Sequence, residues 1–187
     1  KEKEYLEMEN EVLKKLDELE IKEAFIKTNV LKAEDLQTIL RAGLMAPTGK
    51  SVRGWHFVVV DNKDILARIS QCRQAGAAFV ADAPVAVVVL YDTSLSDVWV
   101  EDSSIAAVTM QYQAADLGIG SCWAQVRLRS QEDGTMADEV LRELLGYPTN
   151  LSALSVIAFG YPAIERKPQD EDKLKWENVH INAFTER

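Results

Sequence analysis

The chain reads as an α+β protein, a mixed α/β sandwich, on three observations. Two runs, Val85 to Tyr91 and Ser152 to Tyr161, are almost wholly apolar and rich in β-branched residues, the mark of strands covered on both faces. Between them lies a long, mostly apolar helical stretch that begins at Trp99 and ends at Gly118. Shorter segments with apolar residues at i, i+3 and i+4 flank these pieces. About four or five strands result, as in an ordinary single sheet.

Each element carries its own signature. Residues 1–23 alternate Lys and Glu and place Tyr5, Met8, Val12, Leu16 and Leu19 on one stripe, which predicts an amphipathic arm packed on the body or on a partner. Residues 24–30 form a connection. Glu34 to Ala46 reads as a helix with Leu36, Ile39, Leu40, Gly43 and Leu44 inward, stopped by Pro47. The polar loop Thr48-Gly49-Lys50-Ser51-Val52-Arg53-Gly54 follows and leads into a strand from Trp55 to Val60. Lys63 to Cys72 is a short helix with Ile65, Leu66, Ile69 and Cys72 inward.

The central helix organises the rest. Ile105, Val108, Tyr112 and Ala115 recur on one side, and Ala106, Met110, Ala114 and Leu117 fill the other. Most of its circumference therefore needs cover, from a thick core or from a subunit interface. Glu101, Asp102, Gln111, Gln113 and Asp116 interrupt it too often for a bilayer span. Gly118 suits a left-handed helix end, and Ser121 to Arg127 leaves as a strand edge. Thr135 is placed to cap a further helix, with Asp138 three residues on and Gly146 at its end. Beyond Pro162 the chain turns polar. Val179 to Phe184 looks extended, a tail suited to pairing with an edge on another subunit.

With 187 residues, 47% of them apolar and 27% charged, the chain is expected to form one domain over 1–187, with a helical arm at 1–30 and an extended arm at 163–187. A net charge of −9 argues against nucleic acid and against an anionic membrane surface, and any phosphate-bearing ligand needs a local Lys or Arg cluster. Cys72 and Cys122 sit in apolar surroundings outside any C-x-x-C, which fits a reduced, cytoplasmic protein in which Cys122 is a small buried residue. No secretory leader is legible in the charged first residues. No His, Cys and carboxylate cluster has metal spacing, so no metal is expected. His56 reads as structural and His180 as an exposed or interface residue. Glu101 and Asp102 read as residues of a helix start.

Three motifs in order carry a resemblance. They are Ala46-Pro47-Thr48-Gly49-Lys50-Ser51-Val52-Arg53-Gly54-Trp55-His56-Phe57, then Asp102 through Gly118-Ile119-Gly120-Ser121-Cys122-Trp123, and Ala158-Phe159-Gly160-Tyr161-Pro162 with a Lys-containing tail. Over roughly residues 31–184 the chain resembles the FMN-dependent nitroreductase family. The resemblance implies a central mixed sheet flanked by helices and an intertwined homodimer built on the central helix. It implies two FMN sites at the interface and a C-terminal arm that crosses to the partner subunit. The implied chemistry is a ping-pong transfer of hydride from NAD(P)H through flavin to a nitroaromatic, quinone or similar acceptor. No catalytic side chain is needed, since the flavin carries the hydride. The implied FMN-binding set is Pro47, Thr48, Gly49, Ser51 and Arg53, then Ser121, Cys122, Trp123, Ala124 and Gln125, with Lys167 and Lys173 toward the phosphate.

The chain also departs from that pattern. The family's Arg-Arg-Ser-x-Arg phosphate grip aligns with Leu19-Glu20-Ile21-Lys22-Glu23, so Arg, Ser and Arg become Leu19, Ile21 and Glu23. Charge-assisted hydrogen bonds contribute ~1.5–3 kcal/mol each, so losing two weakens FMN binding roughly 10²–10⁴-fold. A non-catalytic or weakly flavin-binding relative is the alternative this departure raises. The usual Asn-x-Gln-Pro-Trp is Ser51-Val52-Arg53-Gly54-Trp55 here, which places a cation where an amide is usual.

Overall fold

Side-chain alternation fixes how the strands are covered. The computed structural model describes residues 31–162 and 168–184; the arm expected over 1–23, the connection at 24–30 and Lys167 lie outside the described residues. Strands β1 (Trp55–Val60), β2 (Val85–Asp92), β3 (Gly120–Gln125) and β4 (Leu151–Gly160) form one sheet in the order β1-β2-β4-β3. Val85, Val87 and Val89 of β2 pack to one face with Ile157 and Phe159 of β4, while Ala86, Val88 and Leu90 pack to the other with Val156 and Ala158. Both central strands are therefore lined by apolar side chains on either side, which is why their sequences run without alternation.

Helices α1 (Ala33–Leu44) and α3 (Trp99–Asp116) cover the first face, with Leu36, Ile39, Ala107, Met110 and Ala114 in the shared core. Helices α2 (Lys63–Ser70) and α4 (Ala137–Leu145) cover the second, through Leu66, Ile69 and Leu141. The α+β sandwich is as the sequence predicts. The sheet differs in one respect, since a mixed sheet was expected and every pairing among the described residues is antiparallel. Strands β1 and β4 run the same way but β2 lies between them, and β2 and β3 run the same way but β4 lies between them. Strands of like direction thus never become neighbours.

Helix ends show which local signals prevailed. Asn62 caps α2, its side-chain oxygen accepting from the backbone N–H of Asp64 and Ile65. Thr135 does not cap α4 as expected. The cap position is Met136, which supplies no side-chain bond. Asp138 is drawn inward instead, where its carboxylate accepts from the Tyr147 hydroxyl at 2.7 Å, from the Ala153 N–H at 2.7 Å and from Arg142 at 2.7 Å. Three partners outweigh a solvent-side capping box. Gly146 ends α4 in the left-handed conformation (φ 73°), and Gly118 does the same after α3 (φ 72°).

One side of α3 stays bare. Ile105, Val108, Tyr112 and Ala115, the first stripe legible in the sequence, are exposed, and Tyr112 keeps 73% of its accessible surface. The opposite stripe is the one this chain buries. The tail also departs from expectation. Its described part makes 3₁₀ turns at Glu171–Lys173 and Trp176–Asn178, then bends through 181–183, and pairs with no strand. Trp176, Val179, Ile181 and Phe184 remain exposed, and no sheet edge among the described residues receives them.

A Cβ at Gly146 would meet nothing within 4 Å, so Gly146→Ala tests backbone strain alone. The expected result is a loss of about 1 kcal/mol in the unfolding free energy measured by urea titration, with an unchanged slope.

Candidate functional site

Glycine content and a buried carboxylate shape the loop between α1 and β1. Met45 closes α1, Pro47 prevents its continuation, and residues Gly49–Ser51 make a single 3₁₀ turn. Lys50 (φ 52°), Ser51 (φ 58°) and Arg53 (φ 53°) are all held in left-handed backbone without being glycine. Each such residue costs of order 1–3 kcal/mol and persists only where its surroundings impose it.

Asp102 imposes it. This residue lies in the first turn of α3 and is only 2% exposed. Its Oδ1 accepts from the Gly49 N–H at 2.8 Å. Its Oδ2 accepts from the Thr48 hydroxyl at 2.7 Å and from the Tyr91 phenol at 2.9 Å. The Thr48 hydroxyl oxygen in turn accepts a long bond from the Arg53 N–H at 3.4 Å. The N-terminal end of a helix also favours a negative charge. Burial alone would push the Asp102 carboxyl up, but the bonds from Gly49, Thr48 and Tyr91 outweigh it and hold the group below the ordinary carboxylate value. Burial, and then the bond to Asp102, push the Tyr91 phenol above its usual value, so it stays a donor.

Close approach makes two glycines necessary here. A Cβ at Gly49 would stand 2.8 Å from the Val98 side chain, and one at Gly54 would stand 2.6 Å from the Tyr91 ring. Trp55, Tyr91 and Ala106 form a small buried cluster beneath the loop. Asp102 was legible only as a helix-start residue. Its role needs the fold, because Thr48 and Tyr91 lie 54 and 11 positions away. A signal was present all the same: an acidic residue flanked by an otherwise small and apolar helix face.

The second group of expected residues lies on β3. Alternation sends Ser121, Trp123 and Gln125 toward α3, and Cys122 and Ala124 toward the other face. Gln111 of α3 donates to the Ser121 hydroxyl at 3.1 Å. The Trp123 indole N–H donates to the Gln125 side-chain oxygen at 2.9 Å, and Arg73 donates to the Gln125 carbonyl at 2.8 Å. Beyond the strand, the Arg127 guanidinium stands 5.7 Å from the centre of the Trp99 ring. Cys122 is exposed, contrary to the buried position expected from its apolar neighbours, because β3 is an edge strand and nothing covers it there. Cys72 is the buried thiol, and burial pushes its pKa up to about 11. His56 is exposed on β1, and His180 stacks at 4.4 Å from Phe184 in the tail.

The two groups do not meet within one chain. Pro47, Thr48, Gly49, Ser51 and Arg53 precede β1 at one edge of the sheet, while Ser121 to Gln125 form the other edge. Three strand spacings, roughly 14 Å, separate those edges. Lys173 lies in the exposed 3₁₀ turn, its ammonium 3.0 Å from Asp170, and joins neither group. The donor set nonetheless fits a planar ring with polar edges. The Ser51 hydroxyl and the Arg53 guanidinium have no partner among the described residues, and β3 offers outward backbone groups on the side away from β4. Among the described residues the expected phosphate contact is Lys173, whose exposed ammonium pairs with Asp170.

Replacing Asp102 by Asn turns an acceptor-only group into one that faces three donors with an NH₂. The Asp102→Asn protein is expected to lose about 2–3 kcal/mol of stability at neutral pH by chemical denaturation. Because the folded carboxyl titrates below its ordinary value of 3.8, its contribution is complete above that value and is lost as pH falls through the lower folded value. The gap between wild type and variant is therefore expected to hold steady near neutrality and to narrow in acid, which a denaturation series across pH measures.

Comparison with known proteins agrees with this architecture. The sequence profile of the Nitroreductase family matches residues 21–72 and 71–161. A protein of Archaeoglobus fulgidus, provisionally named an NADH dehydrogenase/NAD(P)H nitroreductase, is 35% identical over 152 residues, covering 79% of this chain and 84% of its own length. A relative of the same provisional name from Methanothermobacter thermautotrophicus is 34% identical over 155 residues, covering 81% of this chain and 76% of its own. Among solved structures, an FMN-dependent nitroreductase from Clostridium difficile R20291 superposes with a TM-score of 0.81 at 44% identity, covering 83% of this chain and 90% of that one. The chain belongs to the nitroreductase family.

Proposed function

We propose that this chain is an FMN-dependent NAD(P)H oxidoreductase that works as a homodimer and reduces a nitroaromatic, quinone or similar acceptor by a ping-pong mechanism. The observation that carries the reading is the separation of the two site halves to opposite sheet edges, with a bare apolar stripe on α3 between them. A second copy packed on Ile105, Val108 and Tyr112 brings the loop of one subunit to the β3 edge of the other. The name of the Clostridium difficile relative supports FMN, and the provisional names of the archaeal relatives support NAD(P)H.

Bound flavin supplies the hydride chemistry. The residues of this chain bind and orient it. Thr48 and Gly49 are spent on Asp102, which leaves Ser51 and Arg53 to meet the polar edge of the ring and the ribityl chain. The backbone of Trp123, Ala124 and Gln125 lies along the ring, and the Trp123–Gln125 bond keeps that indole from turning into the slot. The tail with Trp176, Ile181 and Phe184 reaches the partner subunit, which covers side chains that one chain leaves in water.

One observation favours the second reading, a relative that binds flavin weakly. Lys173 is engaged by Asp170, and the aligned phosphate grip is Leu19, Ile21 and Glu23. Titration with FMN and with riboflavin separates the two. Tighter binding of FMN together with NAD(P)H oxidation supports the enzyme, and equal affinity without turnover supports the weak binder. The dimer is tested independently. Val108→Glu is expected to leave the circular-dichroism spectrum intact, to halve the mass measured by light scattering and to lower FMN affinity by at least about ten-fold.

A further inference from the structure

The chain leaves β3 through a turn that sets two arginines on either side of a strained leucine. Strand β4 carries a bulge there: Ser155 pairs with Val89 and Ala153 with Leu90, so Leu154 is an extra residue. Its carbonyl accepts from both the Val126 and the Arg127 N–H, each at 3.0 Å. The Arg129 N–H then closes a turn on the Val126 carbonyl at 3.0 Å, with Leu128 held inside it at φ 59°. Left-handed backbone is a genuine outlier for a bulky residue. Leu128 is 65% exposed, so burial of its side chain does not offset the cost. The turn is thus imposed from outside itself, and what it presents is the pair of cations.

Arg127 is half-buried, its guanidinium 5.7 Å from the centre of the Trp99 ring. Arg129 is exposed and donates to the Leu128 carbonyl at 2.9 Å. Neither meets a carboxylate among the described residues. Asp133, in the same loop, accepts from the Thr135 N–H instead. Arg73 brings a third guanidinium to this corner, bonded to the Gln125 carbonyl at 2.8 Å. A single surface arginine needs no explanation. Three guanidiniums at one end of one strand, in a chain of net charge −9, make a local field of the opposite sign. Stacking on Trp99 fixes the plane of Arg127 and leaves its edge donors free for a fork onto phosphate oxygens. Position decides which phosphate. The flavin reading above, on which this inference rests, lays the ring along Trp123, Ala124 and Gln125. Arg127 stands two residues further, up to roughly 7 Å of extended chain. That is beyond the reacting ring and suits a group one ribose removed from it. The resemblance directs the cofactor's own phosphate to Lys167 and Lys173 in the tail. We propose that Arg127 and Arg129 hold the diphosphate of the nicotinamide dinucleotide donor, with Trp99 as the positioning residue for Arg127.

The test titrates FMN-loaded protein by calorimetry with ADP-ribose, which carries the donor's diphosphate without its reacting ring, and with adenosine. Wild type is expected to bind ADP-ribose at least about ten-fold more tightly, with the advantage falling as salt rises. Arg127→Gln and Arg129→Gln are each expected to cut that ratio several-fold, and Trp99→Leu to cut it without removing a charge. In steady-state kinetics, the ratio of kcat/KM for NADH to that for 1-benzyl-1,4-dihydronicotinamide, a donor without phosphate, is expected to fall at least about ten-fold in the Arg127→Gln/Arg129→Gln double variant. A damaged fold lowers both values and leaves their ratio. Equal binding of ADP-ribose and adenosine by wild type, or unchanged ratios in the double variant, overturns the proposal. A fall in the FMN-to-riboflavin affinity ratio of that variant assigns the pair to the cofactor phosphate and overturns it as well. Protein that takes up no FMN overturns the flavin reading and this proposal with it, whereas FMN-loaded protein with equal probe binding overturns this proposal alone.

Discussion

The buried carboxylate of Asp102 is the constraint on which the rest of the site depends. One side chain, fixed in the first turn of a long helix, holds a loop by its backbone at Gly49 and by its side chain at Thr48, and holds a strand end by the phenol of Tyr91. Removing a charge from water is costly, and it is sustained here because every strong acceptor direction finds a donor and because the helix end favours the negative form. The conformational cost of three left-handed residues is met at the same point. Helix, loop and sheet are thereby locked at one corner, which is where a ligand needs rigid donors.

The same helix sets the geometry of the whole protein. One side carries small residues, Ser103, Ala106, Ala107 and Ala114, and lies close on the sheet. The other side carries larger apolar residues that this chain leaves uncovered. The sheet order places the loop and the β3 segment at opposite edges, so the two do not meet within one chain. The uncovered stripe and the separation of these two segments are the observations from which the homodimer is proposed.

Much of the fold was legible because it rests on local signals. The β-branched runs of β2 and β4, the helical spacing in α1 and α3, and the glycines that end α3 and α4 all say what they become without reference to distant residues. The failures have a common cause. Thr135 looked like a cap until Asp138 found Tyr147, Arg142 and the Ala153 N–H. Cys122 looked buried because its neighbours in sequence are apolar, yet the strand order leaves it on an edge. The tail looked extended, but a strand needs a partner and the described residues provide none for it. The position of Lys173 followed from alignment alone, and Asp170, three residues away, took up its charge. In each case the decisive partner was remote in sequence or was a competitor close at hand.

Gly54 carries a consequence for anyone who would reshape this protein. Its missing side chain leaves the space in which the Tyr91 ring lies, and that ring reaches the carboxylate beneath the loop. A library that randomises 48–54 evenly would therefore waste many of its members at positions 49 and 54, because a side chain at 54 evicts the aromatic of the neighbouring strand and one at 49 meets Val98. The freedom to redesign this rim is thus set from underneath it, by the ring that fills the space beside Gly54.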